Sequence, residues 1–177
     1  MNKTADTICA LEVLTANTGT RHDCWNTPVQ FVGDVVKFFG GTVDLDPCSN
    51  SEVKSEQNVP ANRVYTIETN GLAHDWVADS VFMNHPYSNS DQWVPYAALQ
   101  YESGNAKELV LLIKVDISTK WWQSISKYPW VAVNSRMKFG GAGSAAPFQS
   151  GIIYLGNDLD RFKQTFSKYG QLYQPVE

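Results

Sequence analysis

The stretch that decides the fold is residues 109–115, which read LVLLIKV. Six of these seven residues are apolar, so the stretch lacks the alternation of a strand that has one face in water. A short continuous apolar run of this kind is typical of a strand buried on both faces of a parallel sheet. We therefore predict an α/β fold in which helices cover both faces of a central sheet.

Outward from this run, predicted strands alternate with predicted helices. The alternation favours a mainly parallel sheet to which the last strands add antiparallel pairs. In such sheets, ligands bind beyond the carboxyl ends of the strands. Strands are predicted at 42–46, 64–67, 81–83, 130–134 and 151–155, and helices at 28–39, 90–103, 118–127 and 159–168, with 48–62 as a polar loop or short helix.

The first predicted helix has clear signals at both ends. Thr27 is the expected N-cap, Pro28 suits the first helical position, and Gln30 is placed to close a capping box. Gly40 and Gly41 are the expected stop. The last helix is predicted to end at Gly170.

The length of 177 residues suits one domain with a substantial core. Residues 1–22 are polar and aperiodic and are predicted to form an N-terminal arm, which leaves 23–177 as a single catalytic domain. The three cysteines, Cys9, Cys24 and Cys48, include no C-x-x-C pair, so neither a disulfide framework nor a zinc site is indicated. Because no apolar run reaches membrane-spanning length and no signal peptide is recognisable, we expect a soluble cytoplasmic protein.

Charge is unevenly distributed along the chain. The formal net charge of −4 argues against binding nucleic acid mainly through bulk electrostatics. Residues 40–80 nevertheless hold seven acids against two bases, whereas residues 105–140 hold six bases against two acids. This division suits a cationic cofactor on one side and a polyanion on the other. From charge alone, the simpler interpretation is that the acidic and the basic segment each form part of the solvent-exposed surface.

The tetrapeptide Asn84-His85-Pro86-Tyr87 follows the predicted strand 81–83. An adenine amine is a poor nucleophile, and a site can activate it by accepting both of its N–H hydrogens. The Asn84 amide oxygen and the His85 carbonyl could be those acceptors, with Pro86 stiffening the turn and Tyr87 stacking on an extruded base. An ordinary strand-to-loop turn would also explain Asn and Pro here.

The tetrapeptide resembles the Asn-Pro-Pro-Tyr motif of amino-methyltransferases that act on DNA. Together with its surroundings, the chain from residue 23 to about 148 resembles the phage-type DNA N-6-adenine methyltransferases, the Dam-like proteins. The matching pieces are Trp25-x-Thr27-Pro28, Phe38-Phe39-Gly40, Leu45-Asp46-Pro47-Cys48, Asn70-Gly71-Leu72, Asp75-Trp76, Phe82-Met83-Asn84-x-Pro86-Tyr87-Ser88 and Trp93, with a weaker echo in Arg136-x-x-Phe139.

This resemblance implies a Rossmann-like methyltransferase fold and S-adenosylmethionine as the methyl donor, with no metal. It implies base flipping and direct in-line transfer to the adenine N6 of duplex DNA. A domain of this size has no room for a separate target-recognition domain, which implies a short recognition sequence. A phage protein of this kind would act in the host cytoplasm. The sequence does not determine the oligomeric state, and a monomer and a weak dimer are both open. RNA or a free nucleotide remains an alternative substrate.

The resemblance also implies roles for individual residues. Asp75 and Trp76 could equally be a helix cap and a core aromatic, and Trp121 and Trp122 are as easily core residues as DNA contacts. The catalytic residues are Asn84, His85, Pro86 and Tyr87. The cofactor residues are Trp25, Thr27 and Pro28 at the methionine part, Asp46, Pro47 and Cys48 in the first loop, Glu68 at the ribose, and Leu72, Asp75 and Trp76 at the adenine; the DNA contacts are Ser88, Lys120, Trp121, Arg136 and Lys138.

Two positions depart from the family pattern. His85 replaces the first proline of the motif, which keeps the backbone carbonyl and gives up the fixed φ angle. A protein with impaired catalysis that binds cofactor or DNA is therefore an alternative, as is a proton-accepting role for the ring. The loop that begins at Asp46 ends in Ser49 and Asn50 where many cofactor loops have glycine.

Overall fold

The computed structural model describes residues 25–140 and 145–175. The predicted arm, residues 1–22, lies outside the described residues. Three α-helices and seven strands make up the described part of the chain, and several of the strands are joined only by short 3-10 turns or loops. The helices are α1 (Val29–Phe38), α2 (Ser90–Glu102) and α3 (Leu159–Phe166), and the strands are β1 (Val43–Asp46), β2 (Ala61–Val64), β3 (Val81–Met83), β4 (Leu109–Lys114), β5 (Trp130–Val133), β6 (Ser150–Leu155) and β7 (Gly170–Tyr173).

The strands form one mixed sheet in the order β2-β1-β3-β4-β6-β5-β7. The three pairings among β2, β1, β3 and β4 are parallel, and the three pairings that involve β6 or β7 are antiparallel. The expected antiparallel closing strands are confirmed, whereas the expectation of a mainly parallel sheet is not, because half of the pairings are antiparallel. The reversal arises at β6, which inserts between β4 and β5 and runs against both.

Strand β4 is buried on both faces, as its apolar run predicts. Val110 and Leu112 pack into one core cluster with Phe31 of α1 and Phe162 of α3. The alternate residues of β4, represented by Leu111, pack into a second cluster on the other face, which α2 covers. Each apolar side chain of β4 therefore contacts other apolar groups instead of water. This burial contributes on the order of 1.5–3 kcal/mol to folding stability per fully buried large side chain.

Helix α1 ends as predicted but begins differently. Pro28 occupies the N-cap position without a side-chain cap, so the expected capping box at Thr27 is wrong. The Thr27 hydroxyl instead accepts a hydrogen bond from the Asn84 side chain at 3.0 Å. At the other end, Gly40 and Gly41 have φ angles of 79° and 116°, which favour glycine and terminate the helix.

Two edge strands differ from the prediction because edge strands carry little apolar signal. β2 lies at Ala61–Val64 rather than 64–67, and its central residues are exposed and polar. Residues 66–69 form a turn instead, in which the Thr66 N–H donates to the Thr69 hydroxyl at 2.8 Å. At the other edge of the sheet, Gly170 begins β7 rather than capping α3.

The helix predicted at 118–127 is also wrong, because only Trp121–Ser124 form a 3-10 turn there. Serine side chains compete for the backbone carbonyls in this segment: Ser124 donates to the Trp121 carbonyl at 2.7 Å and Ser126 to the Gln123 carbonyl at 3.3 Å. Such bonds favour turns over continuous helix.

No helix within residues 25–140 and 145–175 is long and apolar enough to cross a membrane.

Candidate active site

Two polar segments meet at the edge of the sheet where the parallel strands β1 to β4 end, here called the carboxyl edge. β1 and β3 are parallel neighbours, so the residues after Asp46 and after Met83 leave the sheet on the same side. The backbone of Asn84 lies close enough to the Cys48 thiol to influence its pKa, so the two segments approach each other directly. The predicted cofactor loop and the predicted catalytic turn are therefore adjacent.

The side-chain amide of Asn84 is held in one orientation. Its nitrogen lies 2.6 Å from the Trp25 carbonyl oxygen and 3.0 Å from the Thr27 hydroxyl. A backbone carbonyl only accepts hydrogen bonds, so the nitrogen of the amide must face Trp25. The amide oxygen consequently points the other way, where it accepts a hydrogen bond from the Tyr87 hydroxyl at 2.9 Å. One of its two lone pairs remains for another donor.

The ring of His85 is enclosed by the protein. Only 1% of the residue is exposed, and Nε2 lies 2.8 Å from the Ser90 hydroxyl. Burial lowers the pKa of His85 to about 3, so the ring is neutral at physiological pH. This environment does not favour the proton-accepting role that the sequence left open.

Pro86 and Tyr87 complete the turn. Pro86 adopts a φ of −60° and an extended ψ, which leads into a 3-10 turn that begins at Tyr87. The Tyr87 ring is buried, and it packs edge-on against Phe148 at a centroid distance of 5.2 Å. Burial also raises the pKa of the Tyr87 hydroxyl, which therefore stays protonated and donates to Asn84. Only 9% of Tyr87 is exposed, so little of its surface is open to a stacking base.

The loop after β1 holds a buried acid. Asp46 is 5% exposed, and its carboxylate accepts a hydrogen bond from the Cys48 N–H at 3.0 Å. Burial raises the pKa of Asp46 to about 7. Burial and the Asp46 carboxylate together raise the pKa of the Cys48 thiol, which favours the protonated thiol over a thiolate. A carboxylate with so few donors is suited to a cationic ligand.

Segment 70–76 supports this loop from the side. A Cβ on Gly71 would lie 2.1 Å from the Pro47 carbonyl oxygen, so only glycine permits the close approach. Trp76 is fully buried, and its indole N–H donates to the Gly71 carbonyl at 2.9 Å. The sequence left Trp76 as either a contact to the adenine of the cofactor or a core aromatic, and the structure buries it in the core. Leu72 is half-buried and packs against the same core cluster as Cys48.

The remaining acids of the predicted cofactor site lie on the surface. Glu68 is exposed four residues beyond the end of β2, and it accepts a hydrogen bond from the Thr66 hydroxyl at 2.7 Å. That hydrogen bond lowers the pKa of Glu68. Asp75 is exposed on an extended segment and does not cap a helix.

A polar cavity of about 270 Å³ opens beside the tetrapeptide. It is close to the lower end of typical ligand pockets, about 300 Å³. Trp121 is half-buried on its wall, whereas Trp122 is buried in the core, 8% exposed, against Trp130. The lining residues are Tyr87, Ser88, Ser90, Asp91, Lys114, Asp116 and Trp121.

The six basic side chains of residues 105–140 divide between the two edges of the sheet. Lys107 and Lys127 lie at the edge opposite the carboxyl edge, and they form ion pairs with Asp79 and Glu102. The carboxyl ends of β4 and β5 lead into exposed bases that form none of the ion pairs found among the described residues. These bases are Lys114, Lys120, Arg136 and Lys138. Three of them are predicted DNA contacts, and the fourth, Lys114, was not predicted.

Several side chains around the turn carried no usable signal in the sequence. Ser90 contacts His85, and Tyr65 stacks on His74 with their ring centroids 4.4 Å apart. Phe148 packs edge-on against both Trp25 and Tyr87. Tyr65 lay inside the strand predicted at 64–67, so the sequence did not place it beyond the carboxyl end of β2.

Comparisons with known proteins identify the family to which the chain is similar. The model of the family "DNA N-6-adenine-methyltransferase (Dam)" matches residues 15–152. A DNA N-6-adenine-methyltransferase of Haemophilus phage HP1 (strain HP1c1) is 34% identical over 120 residues, which are 66% of this chain and 66% of that protein. One of Escherichia phage T1 is 31% identical over 114 residues, 62% of this chain and 44% of that protein.

The chain thus spans about two thirds of one of these relatives and less than half of the other. The family model, by contrast, matches well over half of the chain and includes both the loop after β1 and the turn after β3. The chain belongs to the DNA N-6-adenine-methyltransferase (Dam) family.

Proposed function

We propose that this protein transfers a methyl group from S-adenosylmethionine to the N6 amine of adenine in DNA. The observation that carries the proposal is the orientation of Asn84 at the carboxyl edge. Trp25 and Thr27 hold its amide nitrogen, so its oxygen stays available as an acceptor. Both relatives named above are DNA N-6-adenine-methyltransferases, which supports the same substrate here.

The turn activates the amine by accepting its hydrogens. Asn84 Oδ1 takes one N–H and the His85 carbonyl takes the other, which directs the nitrogen lone pair out of the ring system. When bound, S-adenosylmethionine supplies an electrophilic methyl group attached to a sulfonium sulfur, and the sulfur is the leaving group as a neutral thioether. The nitrogen forms its bond to carbon on the side opposite the breaking S–C bond, and then releases one proton to water. The ring of His85 is a poor acceptor for that proton because burial lowers its pKa to about 3.

The residues around Asp46 are suited to bind S-adenosylmethionine. A cationic group beside this buried carboxylate would offset the desolvation that raises its pKa. The amino end of α1 follows Thr27 and Pro28 and could hold the carboxylate of the methionine part. Because Thr27 also holds Asn84, cofactor binding and the catalytic amide share one contact. Glu68, which is exposed, and Leu72, which is half-buried, are proposed to meet the ribose and the adenine.

We further propose that the mixed sheet is a Rossmann-like methyltransferase fold and that DNA docks on the carboxyl edge. Lys114, Lys120, Arg136 and Lys138 are exposed bases at this edge, and their positive charge favours phosphate contacts. The cavity beside Tyr87 lies on the same edge. The reaction requires the adenine to leave the helical stack, since the turn cannot reach N6 within a duplex.

One assay tests the proposal. Purified protein is incubated with tritiated S-adenosylmethionine and, separately, duplex DNA, single-stranded DNA and RNA that contain adenine. We expect label in duplex DNA and its loss in Asn84→Ala. Asn62→Ala is the matched control, because it removes an exposed amide that bonds Asp44 at 3.1 Å away from the carboxyl edge. Label in RNA alone, or in no polymer despite cofactor binding, would contradict the proposal.

A further inference from the structure

A chain of two hydrogen bonds ties the catalytic turn to helix α2. His85 Nε2 lies 2.8 Å from the Ser90 hydroxyl, and that hydroxyl donates to the Tyr87 carbonyl at 2.9 Å. His85 is 1% exposed and Ser90 is 5% exposed. Ser90 is the first residue of α2, so the chain links the second and fourth positions of the motif to a rigid element.

The direction of these bonds follows from the donors available. Ser90 has one hydroxyl hydrogen, and the Tyr87 carbonyl can only accept it. Nε2 of His85 must therefore carry the hydrogen that it shares with Ser90. Nδ1 is then a bare acceptor, and it has no hydrogen-bond partner among the described residues. The opposite tautomer would bury an unpaired N–H, which costs about 1–3 kcal/mol.

We propose that His85 and Ser90 are positioning residues: their hydrogen-bonded side chains hold the His85 carbonyl where it accepts the adenine amine, in place of the missing proline. This inference rests on the proposed function. A proline at this position restrains the backbone through its ring. Here the side chain of His85 is anchored to α2. The residue that follows, Pro86, has its own φ angle fixed by its ring, at −60°. The peptide between them has little freedom to rotate.

The first test is Ser90→Ala, which removes the middle of the chain. Ser103→Ala is the matched control, because Ser103 donates to the carbonyl three residues earlier, Gln100, at 3.2 Å and lies at the far end of α2. We expect the single-turnover rate of methyl transfer to fall about tenfold in Ser90→Ala, as misplacement of a reacting group lowers rate more than affinity. We expect the Kd for S-adenosylmethionine to stay within about twofold. Ser103→Ala should transfer at the wild-type rate.

Substitution of His85 gives the second test. His85→Leu keeps an apolar volume and removes the donor, so it should slow transfer like Ser90→Ala. The double variant should be no slower than either single variant, because both changes break the same chain. His85→Gln places an amide N–H at a reach similar to that of Nε2 and should restore most of the rate. If Ser90→Ala and His85→Leu lower the melting temperature but transfer as fast as Ser103→Ala, the positioning role is refuted.

A measurement independent of activity separates this inference from the proposed function. Nitrogen-15 NMR of the imidazole should find His85 neutral at pH 7 with the hydrogen on Nε2, and Ser90→Ala should alter that resonance. A charged ring, or a hydrogen on Nδ1, would overturn the hydrogen-bond chain whether or not the enzyme is active. Wild-type protein that methylates no polynucleotide would overturn the proposed function and, with it, the positioning role in transfer.

Discussion

Replacing Thr27 with valine removes one hydrogen bond from the Asn84 amide and changes the side-chain shape little. Thr27 is 2% exposed, and its hydroxyl oxygen lies 3.0 Å from the Asn84 amide nitrogen. Valine leaves one N–H of this part-buried amide without a partner, which costs about 1–3 kcal/mol. If that cost falls on the transition state, the rate of methyl transfer decreases about 5- to 150-fold.

The assay is single-turnover transfer of tritium from S-adenosylmethionine to a duplex oligonucleotide, with protein in excess. The melting temperature is measured in parallel, and we expect it to fall by about 2–4 °C for each kcal/mol of lost stability. Thr27→Ser retains the hydroxyl and should transfer at close to the wild-type rate. Thr165→Val is the control, since Thr165 is half-buried on α3. A Thr27→Val protein with a lower melting temperature and an undiminished rate would refute the reasoning, because Thr27 would then act on stability alone.

Three further predictions follow from the site. Burial raises the pKa of Asp46 from 3.8 to about 7. The stability that the protonated Asp46 carboxyl group contributes is therefore present below pH 3.8 and is lost as the pH rises through about 7. The melting temperature should fall over that range, and Asp46→Asn should flatten the fall. Lys120→Ala should weaken DNA binding and reduce the slope of log K against log salt by about 0.9, whereas Lys107→Ala, at the opposite edge, should leave the slope unchanged; equal slopes would remove Lys120 from the DNA contact. Gly71→Ala should raise the Kd for S-adenosylmethionine at least about tenfold by displacing Pro47, and an unchanged Kd would show that the loop adapts. Gly33→Ala is the control on α1, where the added Cβ would meet nothing within 4 Å. It should stabilise the protein by about 0.5–1 kcal/mol.

Much of the framework could be predicted because its signals are local. The unbroken apolar run at 109–115 indicated a strand buried on both faces, and Gly40 and Gly41 marked the end of α1. The loop after β1 and the turn after β3 were each placed at the carboxyl end of a strand. Parallel pairing of β1 with β3 then brings them together at one edge.

Edge strands and aromatic roles could not be predicted in the same way. β2 and β7 have polar or half-exposed residues, and they are strands because a neighbouring strand offers its backbone groups. Trp76 and Trp121 are the same residue type in similarly polar stretches. Only the packing of the chain buries the first completely and leaves the second on a cavity wall.

The sequence by itself determined which groups could do the chemistry: an asparagine and a backbone carbonyl at a strand end, and an acid at the end of a neighbouring strand. The tertiary structure decided how those groups are held. Thr27 and Asn84 are 57 residues apart, and no periodicity relates them. His85 and Ser90 are five residues apart across a turn, where spacing alone does not set a contact. These bonds form because burial removes water as the competing partner, and burial is a property of the packed chain.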